Sequence, residues 1–197
     1  MLLLAVMGAF LISCESAPGP KPMYNGQEYV DLGLSVMWAT CNVGATTPEG
    51  VYFDLEASTM EQDSKFEERK AIMDAEWGGE WRLPNHHDYQ ELLTFCDGSL
   101  TIKNGVYGYE FTSRINGNKV FFPSLPVPED IHPMEGAAMG FYIDSEVGKE
   151  FELPWGQTCY QRGGFVFSTG GTRLYHAAEE QYSQIYAFEA RLVYEAK

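Results

Sequence analysis

Positive charge is what this chain has least of. Its 197 residues carry 13 Lys and Arg against 28 Asp and Glu, a formal charge of −15, and no stretch gathers the basic residues into a cluster. A chain of this sign repels phosphate backbones and anionic headgroups, which argues against nucleic acid or an anionic membrane surface as a partner. The acid surplus serves solubility before it serves any cation site. Cysteine is also scarce: Cys14, Cys41, Cys96 and Cys159 are all there is, with no CxxC and no pair at metal-ligand spacing. His-x-x-x-His, GxSxG and P-loop patterns are missing too, which removes the common signatures of zinc, serine-hydrolase and nucleotide chemistry. No apolar run is long enough for a bilayer-crossing helix, and no unit of roughly 20–50 residues repeats. What is abundant is apolar mass. With 45% hydrophobic and 14% aromatic residues, the chain supports one domain with a real core.

The opening MLLLAVMGAFLIS is uncharged and ends at Cys14. It is too short to span a bilayer and reads as the apolar part of a secretory signal, although no Lys or Arg precedes it. Leu11-Ile12-Ser13-Cys14 resembles a bacterial lipobox, in which the cysteine becomes the acylated first residue of the mature chain. The Pro-rich ESAPGPKP that follows cannot continue a packed element and reads as a tether. The expected organisation is a signal peptide over 1–13, a lipid-anchored tether over 14–25 and one domain over 26–197. Acyl chains would hold that domain at the outer membrane or cell surface without spanning it. An exported compartment permits disulfides. Two readings of the cysteines stay open: a Cys41–Cys96 bridge with Cys159 left free, or three small buried hydrophobes.

Further along, residues 28–40 alternate as two short strands around a Gly33 turn, and 45–50 reads as loop. Residues 51–55 form a short apolar run. Residues 61–77 read as a helix with Phe66, Ile72, Met73 and Trp77 on its apolar stripe. The densest stretch is WGGEWRLPNHHDYQELL, 77–93. Pro84 bars helix before it, Asn85 is a favoured N-cap, and Asp88 stands three residues later, close to a capping box. Tyr89, Leu92, Leu93 and Cys96 then share one face of a helix of about 10 residues. Asn104-Gly105 and Asn116-Gly117 mark reversals around β-like runs at 106–112 and 119–123. Residues 124–164 read as a long Pro- and Gly-rich connection, either a functional loop region or one that hides short strands. Strands are expected at 163–169 and, from clean alternation, at 184–194. Few helices among many short strands make the expected class α+β.

Several pieces, in this order, resemble the Fibrobacter succinogenes major paralogous domain of exported Bacteroides-type proteins. They are YVDLGLSVMWATCNVGA (29–45), Pro48-Glu49 with Tyr52-Phe53, WGGEWRLP (77–84), Glu91-Leu-Leu93 with Cys96, the Asn104-Gly105 and Asn116-Gly117 reversals, and Phe121-Phe-Pro123. The match is close over 28–125 and loose beyond. Arg-Leu-Pro before a helix also resembles the C-type-lectin-like and formylglycine-generating superfold. That resemblance implies two helices on a twisted, mostly antiparallel sheet, with long loops on one face.

Each candidate site residue follows from these readings. His86-His87-Asp88 has metal-ligand residue types, but helical neighbours diverge by about 100°, so no metal site is expected there. Formylglycine-generating enzymes use a pair of cysteines in their C-terminal part, and here that part holds Cys159 alone, so no enzyme activity is expected. The calcium-dependent lectin motifs Glu-Pro-Asn, Gln-Pro-Asp and Trp-Asn-Asp are missing. Sugar recognition would instead rest on stacking, with Tyr142, Trp155 and Tyr160 the candidates. The expectation is a non-enzymatic, cofactor-free lipoprotein that binds a glycan or an envelope protein. A structural or accessory subunit of a surface assembly is the alternative, and a cryptic enzyme of the formylglycine-generating lineage is the third reading.

Overall fold

The structure is a computed structural model and describes residues 21–51, 70–125, 139–152, 158–176 and 189–195, giving backbone only for 139, 150–152 and 158–162. The expected signal peptide, Cys14, most of the tether, Trp155 and residues 61–69 of the first expected helix lie outside the described residues.

The chain is α+β and its strands pair antiparallel. β1 (Met23–Tyr24), β2 (Gln27–Val30), β3 (Met37–Ala39) and β10 (Val193–Tyr194) form one sheet in that order. β4 (Cys96–Lys103), β5 (Val106–Ser113) and β6 (Lys119–Pro123) form a second. β7 (Met139–Glu152), β8 (Thr158–Ser168) and β9 (Gly171–Tyr175) form a third. Ordered strand thus begins at Met23, inside the segment expected as tether.

Turn chemistry sets two of the hairpins. Asn25-Gly26 and Asn104-Gly105 both take positive φ at both residues, 48° and 80°, then 49° and 84°. A two-residue turn of this kind matches the twist of the strands it joins. Asn116-Gly117 behaves differently, with only Gly117 at positive φ, so β5 and β6 are joined by a wider loop. Ser113 Oγ organises that loop by accepting the Ile115 and Asn116 N–H groups and donating to the Leu32 carbonyl at 2.6 Å. The loop packs on the Gly33 turn, where φ is 71° and an added Cβ would sit 2.8 Å from Ile115. Glycine is required there on both counts.

The helix α1 (His86–Phe95) begins as expected. Asn85 accepts the Asp88 N–H at 3.0 Å and Asp88 accepts the Asn85 N–H at 2.7 Å, a complete capping box. No glycine stops it. Cys96 passes directly into the β4 ladder opposite Ser113, and Arg114 satisfies the last turn, donating from its backbone to Phe95 O at 3.0 Å and from its guanidinium to Thr94 O. Of the first expected helix, the described part is a short helical piece at 70–72 and a single π turn, Met73–Trp77.

Two apolar clusters fill the interior. Trp38, Tyr89, Leu92, Phe122 and Phe165 belong to the larger, between α1 and the sheets; Trp77, Trp81, Leu192 and Tyr194 belong to the other. Trp77 and Trp81 meet edge to face at 5.1 Å, which places the tryptophans of the dense stretch in the core.

Two expectations take definite form. The connection of 124–164 holds strands, as one of its two readings had it, since β7 and much of β8 lie within it. Of the strand expected over 184–194, residues 184–188 lie outside the described residues, and within 189–194 the strand is Val193–Tyr194. Residues 189 to 194 are all buried, so the alternation there does not separate an inner from an outer face. Ala39 N donates to Leu192 O and Val43 N to Ala190 O, each at 2.9 Å, while Arg82 and Val193 exchange backbone bonds at 2.9 Å. A segment paired along its edges and buried on both faces has no solvent side for the pattern to report.

Candidate functional site

A cavity of about 360 Å³ opens where the first sheet meets the second. β2 supplies Tyr29 and Val30, and Asp31 follows them; β4 ends in Lys103, and β6 opens with Lys119, Val120 and Phe121. Lys21 and Pro22 close it from the N-terminal side and Pro48 from the loop after β3. Three lysines separated by up to 98 positions therefore share one rim.

Each lysine is held by a carboxylate. Lys21 Nζ lies 2.7 Å from Glu28 Oε2, and that hydrogen bond raises the lysine's pKa. Lys103 and Lys119 grip the two oxygens of Glu110 at 3.0 and 2.9 Å. Burial pushes the Glu110 carboxyl up, but the two lysines outweigh it and hold the group below its ordinary value. With Asp31 on the rim, three lysines face three carboxylates, which leaves a neutral patch on a strongly acidic chain. Such a site offers fixed donors, fixed acceptors and apolar walls together, and its volume suits a small polar ligand.

The residues expected to bind ligand are placed elsewhere. Tyr142 is 0% exposed, its ring packed against Phe122 and Phe167 and its hydroxyl donating to Pro123 O at 2.8 Å. Burial pushes that hydroxyl's pKa well up. Tyr142 presents no face on which a sugar could stack, which corrects the expectation for it. Trp155 and the side chains of Cys159 and Tyr160 lie outside what is described. The triplet 86–88 splits as the helical geometry requires: His87 is exposed, and Asp88 turns inward to its cap and Arg82. His86, however, is half-buried and stacks on His176.

Two features were not anticipated from the sequence. Arg191 is a fully buried arginine, joined to Asn42 and near the equally buried Glu189. Asp144 on β7 is 1% exposed. Burial pushes its carboxyl up to about 6, against the pull of the Glu146 N–H and of His176.

Cys41 and Cys96 are free thiols in this structure, the first half-buried and the second buried. Burial raises the Cys96 thiol from an ordinary 9.0 to about 11, with Arg114 opposing and Asp97 adding to the shift. At pH 8 Cys96 is expected to react with a disulfide reagent at least about a hundredfold more slowly than an open thiol. The sign for stability follows: the folded state holds this proton more tightly, so its contribution is full below about pH 9 and fades as pH climbs towards 11. Peptide-resolved labelling checks this and the expected bridge together. Cys41 labelling first supports two thiols, whereas protection of both until reductant is added would establish Cys41–Cys96.

Compared with protein-family models, curated proteins and solved structures, the chain matches none.

Proposed function

We propose that this chain is a non-enzymatic binding module, C-type-lectin-like in fold and held at the cell surface through acylated Cys14, and that its ligand is a glycan. The observation that carries the reading is the lysine-rimmed cavity between the first two sheets. Sugar hydroxyls donate and accept at once, and the cavity offers both roles from side chains already fixed by ion pairs. Its walls of Pro22, Val30 and Pro48 suit the apolar faces of a pyranose ring. The resemblance to the Fibrobacter succinogenes major paralogous domain supports the surface location.

A glycan array probed with the purified chain, followed by calorimetry on the best ligand, tests this. The double variant Lys21→Ala, Lys119→Ala is expected to weaken binding about tenfold, a loss of about 1.4 kcal/mol. Stability should change little, because both lysines are exposed and Lys103 still holds Glu110. An empty array, with envelope proteins retained on the immobilised chain, would sink the glycan reading. One observation favours that second reading of an accessory subunit: Ile102 and Tyr107 face each other across the β4–β5 hairpin and are 56% and 42% exposed, with Leu100 beside them.

A further inference from the structure

The start of α1, the middle of β7 and the residue after β9 meet at one point. His86 opens α1, and its ring lies 3.8 Å from that of His176 with 21° between the planes. His176 Nδ1 stands 3.4 Å from Glu146 Oε2. One ligand atom from each of His86, Glu146 and His176 lies within 4.8 Å of the others. Beneath them is Asp144, whose Oδ1 accepts the Glu146 N–H at 2.7 Å. Its Oδ2 is buried and has no hydrogen-bond partner among the described residues. The carboxylate fits because residue 163 is glycine: a Cβ there would come within 2.6 Å of it.

We propose that His86, Glu146 and His176 bind a divalent transition metal of the zinc type, with the orphaned oxygen of Asp144 backing the site. Two imidazoles and a carboxylate are a common protein donor set for zinc, and they leave a fourth position open. Zinc's bond lengths place tetrahedral donors about 3.4 Å apart, so the group has to contract by about 1 Å or slightly more. The side chains of His176 and Glu146 are 53% and 39% exposed and have room to swing inward. An unpaired buried carboxylate oxygen is costly without a proton or a cation near it, and an ion at this point would relieve that cost. The helix terminus acts against a cation beside His86. Two carboxylates at the site and the acidity of the whole chain outweigh it. His87 takes no part, because it projects a third of a turn away.

The test uses the full chain in detergent, stripped with EDTA and titrated with zinc chloride in a calorimeter. One site per chain is expected. His176→Ala and Glu146→Gln should each weaken it at least about tenfold, while His87→Ala and Lys119→Ala leave it unchanged, which separates this site from the glycan cavity. The first two variants alter half-exposed side chains, so their metal-free melting temperatures should match the parent's. Cobalt(II) gives a second readout: bands of low-coordinate cobalt in the parent, lost in His176→Ala. The proposal is overturned by the lack of saturable one-to-one binding. It is equally overturned by binding that survives His176→Ala undiminished, which would place the ion elsewhere on this acidic chain.

Discussion

Replacing Arg191 with methionine is expected to cost about 3–5 kcal/mol of stability, the range found when one partner of a buried charge network is removed. The guanidinium is fully buried, and every direction it points is occupied. Nε donates to Asn42 Oδ1 at 2.8 Å, Nη1 to the carbonyls of Ala39, at 3.1 Å, and Thr40, and Nη2 to the Phe121 carbonyl at 3.0 Å. Its flat face lies 5.0 Å from the centre of the Phe122 ring. One side chain thereby ties the end of β3 to β6, joining the two sheets between which the lysine-rimmed cavity opens. Asn42 extends the network, donating to Glu189 Oε2 at 3.2 Å and towards the Tyr142 hydroxyl at 3.4 Å. Methionine fills the space but leaves three carbonyls, an amide oxygen and the fully buried Glu189 without the positive charge among them. Lysine keeps the charge and loses the fork, so Arg191→Lys should cost about 2 kcal/mol, a hydrogen bond or two. Urea unfolding followed by tryptophan fluorescence measures both. Adding Glu189→Gln to Arg191→Met should recover part of the loss, because the stranded charge goes with it. A cost below about 1 kcal/mol for Arg191→Met would mean that water solvates this network.

The same arginine marks the limit of what the sequence reveals. Residues 184–194 alternate well, and an arginine in such a pattern reads as pointing to solvent. The pattern reports an outer face only where one exists, and residues 189 to 194 are buried on both faces. Local chemistry was legible. Asn85 and Asp88 cap α1 within four residues of chain, and Asn104-Gly105 makes its turn from two, because those interactions close before any tertiary contact forms. The same rule applies to Asn25-Gly26, a hairpin signal inside a segment that its prolines made look like tether. Sites assembled from distant segments were not legible. Lys21, Lys103 and Lys119 form no cluster in sequence, and only the meeting of two sheets makes them one rim. His86 looked like half of a His-His pair with His87, whereas its neighbour in space is His176, 90 positions away. Tyr142 sits in a connection whose sequence left loop and hidden strand both open. Once β7 and β8 pair through Tyr142 and Phe165, its ring turns into the core.

Asp88→Ala is expected to cost about 2–4 kcal/mol, more than an ordinary helix cap, because one carboxylate accepts three hydrogen bonds from two partners. It is 2% exposed. Its Oδ2 accepts the Asn85 N–H at 2.7 Å and an Arg82 guanidinium N–H at 2.6 Å, while Oδ1 receives a second Arg82 N–H at 3.4 Å. Loss of a cap alone is worth about 1 kcal/mol, and a charge-assisted bond to a buried carboxylate adds about 1.5–3. Arg82 is the reason the effect spreads beyond α1. Its backbone exchanges two hydrogen bonds with Val193, so the ion pair fastens the start of the helix to β10, the last strand of the first sheet. Three comparisons separate these contributions. Asn85→Ala removes the reciprocal half of the box and should cost about 1 kcal/mol. Asp88→Asn keeps an acceptor but drops the charge, so it should fall between the two. Glu195→Ala removes only the exposed partner of Arg82, at 3.3 Å, and should stay within about 0.5 kcal/mol of the parent. The Asp88→Ala loss should also persist in high salt, since screening reaches exposed pairs far more than buried ones. If 1 M salt erased it, the Arg82 pair would be a surface contact, and the dense stretch would hold the fold by its tryptophans alone.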